Sequence, residues 1–122
     1  MKLAIVGYGK MGRIIEQLAA EYGFEVALKL DVDNNTGYEG LTARNFAGID
    51  VAIEFSTPEA APENLVRLAA LGVNTVVGTT GWSHALERVK QAVSEHATGM
   101  VWTPNFSIGV NVFARLVAEA AR

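Results

Sequence analysis

Apolar and polar residues recur along this chain with two distinct periods, and the switches between them mark out strands and helices. Leu3-Ala4-Ile5-Val6 is an unbroken apolar run, the pattern of a strand buried on both faces. From about Lys10 to Tyr22 the apolar residues Met11, Ile14, Ile15, Leu18, Ala19 and Tyr22 fall at helical spacing. Arg13, Glu16, Gln17 and Glu21 take the other face. Gly23 ends that helix and Phe24 to Leu30 returns as a strand. Val32 to Gly48 is polar and glycine-bearing and predicts at most a short helical turn near Ala43 to Phe46.

Beyond it the two periods resume. Val51 to Phe55 reads as a strand, and a helix is expected from Thr57-Pro58, with Thr57 as its cap and Pro58 at the first helical position. Its stripe is Ala61, Leu65, Leu68 and Ala69, and Gly72 stops it. Val73 to Val77 is the fourth strand, followed by the loop Gly78-Thr79-Thr80-Gly81. Ser83 is expected to cap the next helix, with Leu86, Val89 and Val93 inward. Gly99 to Thr103 is the fifth strand, Pro104 breaks it, and a last helix starts near Val110 with Val112, Phe113, Leu116, Val117 and Ala120 as its stripe. No Gly or Pro stops that helix, so the chain reads as cut within it.

Alternating strands and helices imply an α/β domain with a Rossmann-like, doubly wound parallel sheet. The stretch between the second and third strands cannot hold a crossover helix. The third strand is therefore expected on the other side of the first, giving the order 2-1-3-4-5 with the topological switch between strands 1 and 3.

That switch is where the candidate chemistry lies. Gly7-Tyr8-Gly9-Lys10-Met11-Gly12 joins the first strand to the first helix, and Asp31 closes the second strand nineteen residues beyond Gly12. Strand, GxGxxG, helix, strand and terminal acid form the dinucleotide-binding fingerprint. Gly7 allows the tight turn, Gly9 removes any side chain between backbone and pyrophosphate, and Gly12 lets the helix sit close. The helix N-terminus offers unpaired N–H groups to the phosphates, and Asp31 can accept from ribose hydroxyls. Phe55-Ser56-Thr57-Pro58, Gly78-Thr79-Thr80-Gly81 and Thr103-Pro104-Asn105-Phe106-Ser107 fall at carboxyl ends of strands on the same rim. Backbone N–H groups and the hydroxyls of Thr79 and Thr80 could hold a ribose or a carboxamide, and Asn105 and Phe106 could contact a nicotinamide ring.

Composition narrows the class. Half the residues are hydrophobic, the formal net charge is −3 and there is no cysteine. A packed core is expected; disulfides and thiolate metal sites are excluded. No basic excess suits nucleic acid, and no cationic cluster or long apolar run suits a membrane. The expectation is a cytoplasmic domain with no nucleic-acid or membrane partner and no metal.

Four segments, Gly7 to Gly12, Ala52-Ile53-Glu54-Phe55-Ser56-Thr57-Pro58-Glu59, Val76-Val77-Gly78-Thr79-Thr80-Gly81-Trp82 and Pro104-Asn105-Phe106-Ser107-Ile108-Gly109-Val110-Asn111, occur in an order and spacing that closely resemble the amino-terminal domain of the dihydrodipicolinate reductase family. The resemblance implies an oxidoreductase that reduces 4-hydroxy-tetrahydrodipicolinate with NADH or NADPH in the diaminopimelate route to lysine. It also implies that Gly7 to Gly12 hold the pyrophosphate and Asp31 the adenosine ribose. Gly78, Thr79 and Thr80 would meet the nicotinamide ribose and carboxamide, and Thr103, Pro104, Asn105 and Phe106 would line the nicotinamide.

Two departures bear on the cofactor. The glycine turn is one residue shorter than in many members. Where several carry an arginine after the ribose acid, this chain has Val32 and then Asp33, whose carboxylate would repel a 2′-phosphate. NADH is therefore expected over NADPH, with Lys10 or Lys29 as the cations that could rescue NADPH. The family's substrate domain, with its paired histidines and nearby lysine, has no counterpart here. His84 and His96 read as surface residues, and no catalytic residue is assigned. The chain is expected to bind nicotinamide dinucleotide without turnover, and to be a monomer or weak dimer where the family forms a tetramer. The competing readings are another two-domain dehydrogenase acting on a sugar or amino acid, and a non-catalytic nucleotide sensor.

Overall fold

The computed structural model describes residues 1–121. Along the chain run β1 (Lys2–Val6), α1 (Lys10–Ala19), β2 (Glu25–Leu30), β3 (Val51–Glu54), α2 (Ala61–Ala70), β4 (Asn74–Val77), α3 (Leu86–Glu95), β5 (Met100–Trp102) and α4 (Ile108–Ala120). The five strands make one parallel sheet in the order β2-β1-β3-β4-β5. Without a crossover helix after β2, the chain crosses back under the sheet and pairs β3 with β1, as the polar spacer predicts.

β1, flanked by β2 and β3, is buried on both faces from Leu3 to Val6. Ala4 and Val6 pack with Leu30, Ala52, Leu68 and Val73 under α2 and the 31–50 segment. Leu3 and Ile5 pack on the opposite face with Ile15 and Ala19 of α1. A third cluster joins α2 and α3 through Leu65, Val77, Val89 and the fully buried Trp82.

Several boundaries differ from expectation. α1 ends at Ala19 and passes through a 3-10 turn at Ala20–Tyr22 to Gly23, which is left-handed at φ +77°. α2 begins at Ala61 rather than at Pro58. A helix already running from Pro58 would ask position 62 to donate to the carbonyl of residue 58, and Pro62 has no N–H. Pro62 is tolerated only in a first turn, which fixes the start. Thr57 caps the turn that leads into the helix, its hydroxyl accepting the Ala60 N–H at 3.3 Å and its carbonyl the N–H groups of Ala60 and Ala61 at 3.1 and 2.9 Å. Ser83 does not cap α3; a 3-10 turn at Ser83–Ala85 precedes that helix, and Ser83 makes no capping hydrogen bond there. α4 starts two residues before Val110, with the Ser107 hydroxyl accepting the Val110 N–H at 3.4 Å. The expected turn near Phe46 is present, with the Phe46 N–H donating to Thr42. A second, unforeseen 3-10 turn occupies Thr36–Tyr38.

α4 buries none of its residues; Ile108, Phe113 and Leu116 are 82%, 67% and 63% exposed. The stripe read from sequence is present, but no residue of it is buried by the described part of the chain. No helix among the described residues is long and apolar enough to cross a membrane.

These burials set opposite stability costs for two aromatic residues. Trp82→Ala empties a closed cluster and is expected to cost about 3–5 kcal/mol. Phe113→Ala removes an exposed ring and should stay within about 0.5 kcal/mol. Urea denaturation of the two variants measures both.

Candidate functional site

The glycine turn is built by close approach. Gly7 donates its N–H to the Leu30 carbonyl at 2.8 Å and sits at φ +95°. A Cβ there would lie 2.1 Å from the Phe55 carbonyl oxygen, so both conformation and space require glycine. At Gly12 a Cβ would meet the Gly7 carbonyl at 2.5 Å, so α1 rests directly on the turn. Gly9 differs: a Cβ on it would touch nothing within 4 Å. Its bareness leaves open space in front of the α1 N-terminus, where no side chain caps the first-turn N–H groups.

The rest of the turn faces outward. Lys10 and Met11 are exposed. The Tyr8 hydroxyl donates to Glu16, and the Lys29 ammonium lies 2.7 Å from the same carboxylate and 4.9 Å from the Tyr8 ring centre. The bond from Lys29 and then that from Tyr8 hold Glu16 below the usual carboxylate range, while bonding to Glu16 raises both Lys29 and Tyr8. Lys29 is thus already paired.

At the carboxyl rim, between β1 and β3, a cleft of about 500 Å³ opens. It brings together five of the sequence-selected residues: Gly7, Gly9, Asp31, Phe55 and Ser56. Asn34 shapes the acid's position, accepting the Asp31 N–H at 2.7 Å and donating to the Lys29 carbonyl at 2.9 Å. Among the described residues the Asp31 carboxylate itself has no hydrogen bond or ion pair, so its acceptors are open.

Beneath the cleft lies Glu54, fully buried at the end of β3. One carboxylate oxygen accepts from the Ser56 hydroxyl, from the Ser56 N–H at 3.2 Å and from the Asn64 amide at 3.3 Å. The other accepts from the Thr79 hydroxyl at 2.6 Å. Burial pushes the carboxyl up from its ordinary value, and the hydrogen bonds from Ser56, Thr79 and Asn64 pull it partly back. One buried carboxylate thereby ties the loop after β3, α2 and the loop after β4 together.

The remaining sequence-selected residues lie outside the cleft lining. The Phe55 ring occupies the place of a side chain at Gly78, where a Cβ would fall 1.9 Å from its Cζ. Thr79 is buried with its hydroxyl committed to Glu54, whereas Thr80 is exposed. Thr103 is half-buried, and Pro104, Asn105 and Phe106 are exposed at the start of α4. The Asn105 amide oxygen accepts the Ser107 N–H at 2.7 Å, which is turn chemistry. His84 and His96 are exposed, as expected. No group of three or more metal-ligating side chains occurs among the described residues.

Sequence reasoning missed one wall of the cleft, formed by Asn35, Thr36, Gly37 and Tyr38 with Asn64. Two signals were available. Glu54 is a carboxylate in an otherwise apolar strand, and Asn64 falls on the same helical face as Ala61, Leu65 and Leu68. A polar residue on each buried face invites the question of what it bonds.

The family model for the N-terminus of dihydrodipicolinate reductase matches residues 1–106. A 4-hydroxy-tetrahydrodipicolinate reductase of Christiangramia forsetii is 35% identical over 121 residues, covering 99% of this chain and 48% of the relative. One from Archaeoglobus fulgidus is 33% identical, covering 100% and 52%, and one from Bifidobacterium animalis subsp. lactis is 35% identical, covering 97% and 49%. The chain thus spans about half the length of these curated relatives. Among solved structures, a signal receiver domain of a modulated diguanylate cyclase from Desulfovibrio desulfuricans superposes with a TM-score of 0.57 at 17% identity, covering 84% of this chain and 81% of that one. A Gfo/Idh/MocA family oxidoreductase from Vibrio cholerae gives 0.51 at 14% identity, covering 82% and 37%. At such identities these two speak for the fold alone.

The turn geometry separates glycines needed for folding from the one left bare. Gly7→Ala should destabilise the chain by about 2 kcal/mol or more, through left-handed strain and the clash with Phe55. Gly9→Ala should stay within about 1 kcal/mol of the parent. Thermal denaturation followed by circular dichroism distinguishes the two.

Proposed function

The chain belongs to the family of dihydrodipicolinate reductase amino-terminal domains, and from that membership we propose that it is the nicotinamide-dinucleotide-binding part of a reductase. The full enzyme would deliver hydride to 4-hydroxy-tetrahydrodipicolinate in diaminopimelate and lysine biosynthesis, in the cytoplasm. The observation that carries the reading is the open space at Gly9 beside an unpartnered Asp31 carboxylate, on one side of a single cleft. The residues present fit the cofactor: a helix N-terminus without a side-chain cap suits a pyrophosphate, and a free carboxylate suits a ribose diol.

Gly7 to Gly12 would hold the pyrophosphate and Asp31 the adenosine ribose, with Phe55 and Ser56 forming the floor. The nicotinamide end would lie further along the rim, toward Gly78, Thr79, Thr80 and Thr103 to Phe106. Because Thr79 spends its hydroxyl on Glu54, contact there would fall to backbone groups and to Thr80. A bound reduced nicotinamide supplies the hydride. This chain's contribution is to bind and orient it, which is the part of catalysis that comes from positioning.

The cofactor preference follows from charge. Beyond Asp31 the cleft edge carries exposed Val32, which exposed Asp33 follows in the chain; among the described residues no Lys or Arg lines the cleft, and Lys29 is held by Glu16. Lys10 remains the nearest candidate cation on the turn. Residues 1–122 would act as one dinucleotide-binding domain, monomeric or weakly dimeric. Substrate clamping and proton delivery would fall to residues other than those of this cleft, which among the described residues offers no cation to a dicarboxylate.

Calorimetric titration of this chain should show NADH binding at least about tenfold tighter than NADPH; equal or tighter NADPH binding overturns the preference. Asp31→Asn should weaken NADH by about 1.5–3 kcal/mol while leaving the thermal midpoint in place, because the carboxylate has no partner among the described residues. Turnover of the dicarboxylate by the purified chain would overturn the division of labour.

A further inference from the structure

Glu54 takes no part in the contacts assigned above, yet its partners include two residues of the cleft wall, Ser56 and Asn64. All four of its hydrogen bonds are donated to it. Two of the donors, the Ser56 N–H and the Asn64 amide, cannot reverse direction, and both serve the same oxygen. A proton arriving on the carboxyl is therefore directed to the other oxygen, which faces Thr79. The Thr79 hydroxyl must then turn and accept, giving up the bond it donates. The loop that Thr79 anchors is also fixed through its carbonyl, which accepts the Trp82 indole N–H at 2.7 Å. Asn64 passes the constraint on to the segment that completes its wall, accepting from the Asn35 amide at 3.4 Å.

We propose that Glu54 is a positioning residue of the dinucleotide cleft, whose ionised carboxylate holds the loops after β3 and β4 at the spacing the cofactor needs. The inference rests on the dinucleotide reading given above. The side chains bonded to Glu54 are neutral, and its register neighbours on β1 and β4 are Val6 and Val77. On α2 the charged residues Glu63 and Arg67 are paired with each other at 2.7 Å. The titratable groups facing the cleft itself are Asp31 and Tyr38.

Ionisation then acts on binding and on stability with opposite signs. Burial holds the folded carboxyl above its ordinary value. Its contribution to stability is thus fully present below the unfolded-state value and lost as pH rises through the folded value. Dinucleotide affinity should rise across that same interval, as the carboxylate forms. A purely structural role would move affinity and stability together.

The experiment titrates NAD+, which tolerates acid, into the 122-residue chain by calorimetry between about pH 5 and pH 8, with denaturant stability measured in parallel. The parent should bind more tightly as pH rises. Glu54→Gln should bind at least about tenfold more weakly at neutral pH, with a flatter profile, and should lack the parent's loss of stability with rising pH. Thr79→Val deletes one donor to the anion and should move the midpoint of the affinity profile to higher pH. Parent-like affinity and profile in Glu54→Gln overturn the inference alone. If Glu54→Gln fails to fold, an unmoved midpoint in Thr79→Val overturns it. Absence of NAD+ binding by the parent at every pH overturns the dinucleotide reading and this inference with it.

Discussion

A carboxylate with no access to water must find its hydrogen bonds inside the protein, and Glu54 finds four by drawing three segments to one point. An unpaired charge in the same place would cost several kcal/mol, so the geometry around it is tightly constrained. The loop after β3 must turn back over its own strand so that Ser56 can donate twice. α2 must cross with Asn64 facing down, and the loop after β4 must bring Thr79 inward. Those requirements set the floor and one wall of the cleft, and the rim's polar chemistry is arranged around a group that never reaches the surface.

The other fixed point is the contact of α1 with the glycine turn. Gly12 lies against the Gly7 carbonyl, and Gly7 lies against the Phe55 carbonyl. Three backbone segments from β1, α1 and β3 are thus stacked without side chains between them, which aims the α1 N-terminus into the cleft beside Asp31. Glu54 and Gly7 act on the same loop, one through the Ser56 groups and one through the carbonyl of Phe55. The two constraints therefore reinforce each other.

α4 stands apart from this economy. The same 3.6-residue pattern that buries α2 and α3 produces in α4 a stripe with nothing beneath it. Periodicity reports that a helix has an apolar face; it does not report whether the chain supplies a partner for that face. α1 makes the point in milder form, with Ile15 and Ala19 against the sheet and Met11, Ile14 and Leu18 of the same stripe 46%, 39% and 43% exposed.

The sequence by itself determined the sheet order, because the stretch from Val32 to Gly48 has no helical pattern and a parallel neighbour on that side was ruled out. It also determined the glycine turn and the acid after β2, since a tight strand-to-helix turn demands glycine at fixed local positions and the acid is read directly from the chain. Helix starts were legible in principle, as Pro62 shows, but the stronger local signal at Thr57-Pro58 pointed three residues too early. Only the tertiary structure decided that Thr79 faces inward while Thr80 faces out, and that Asn35 to Tyr38 and Asn64 form a wall together. Residues 35 and 64 are brought together by the pairing of β2, β1 and β3 and by the crossing of α2 above them. No local period encodes such a meeting; it exists only once the sheet has formed and a buried charge has to be satisfied.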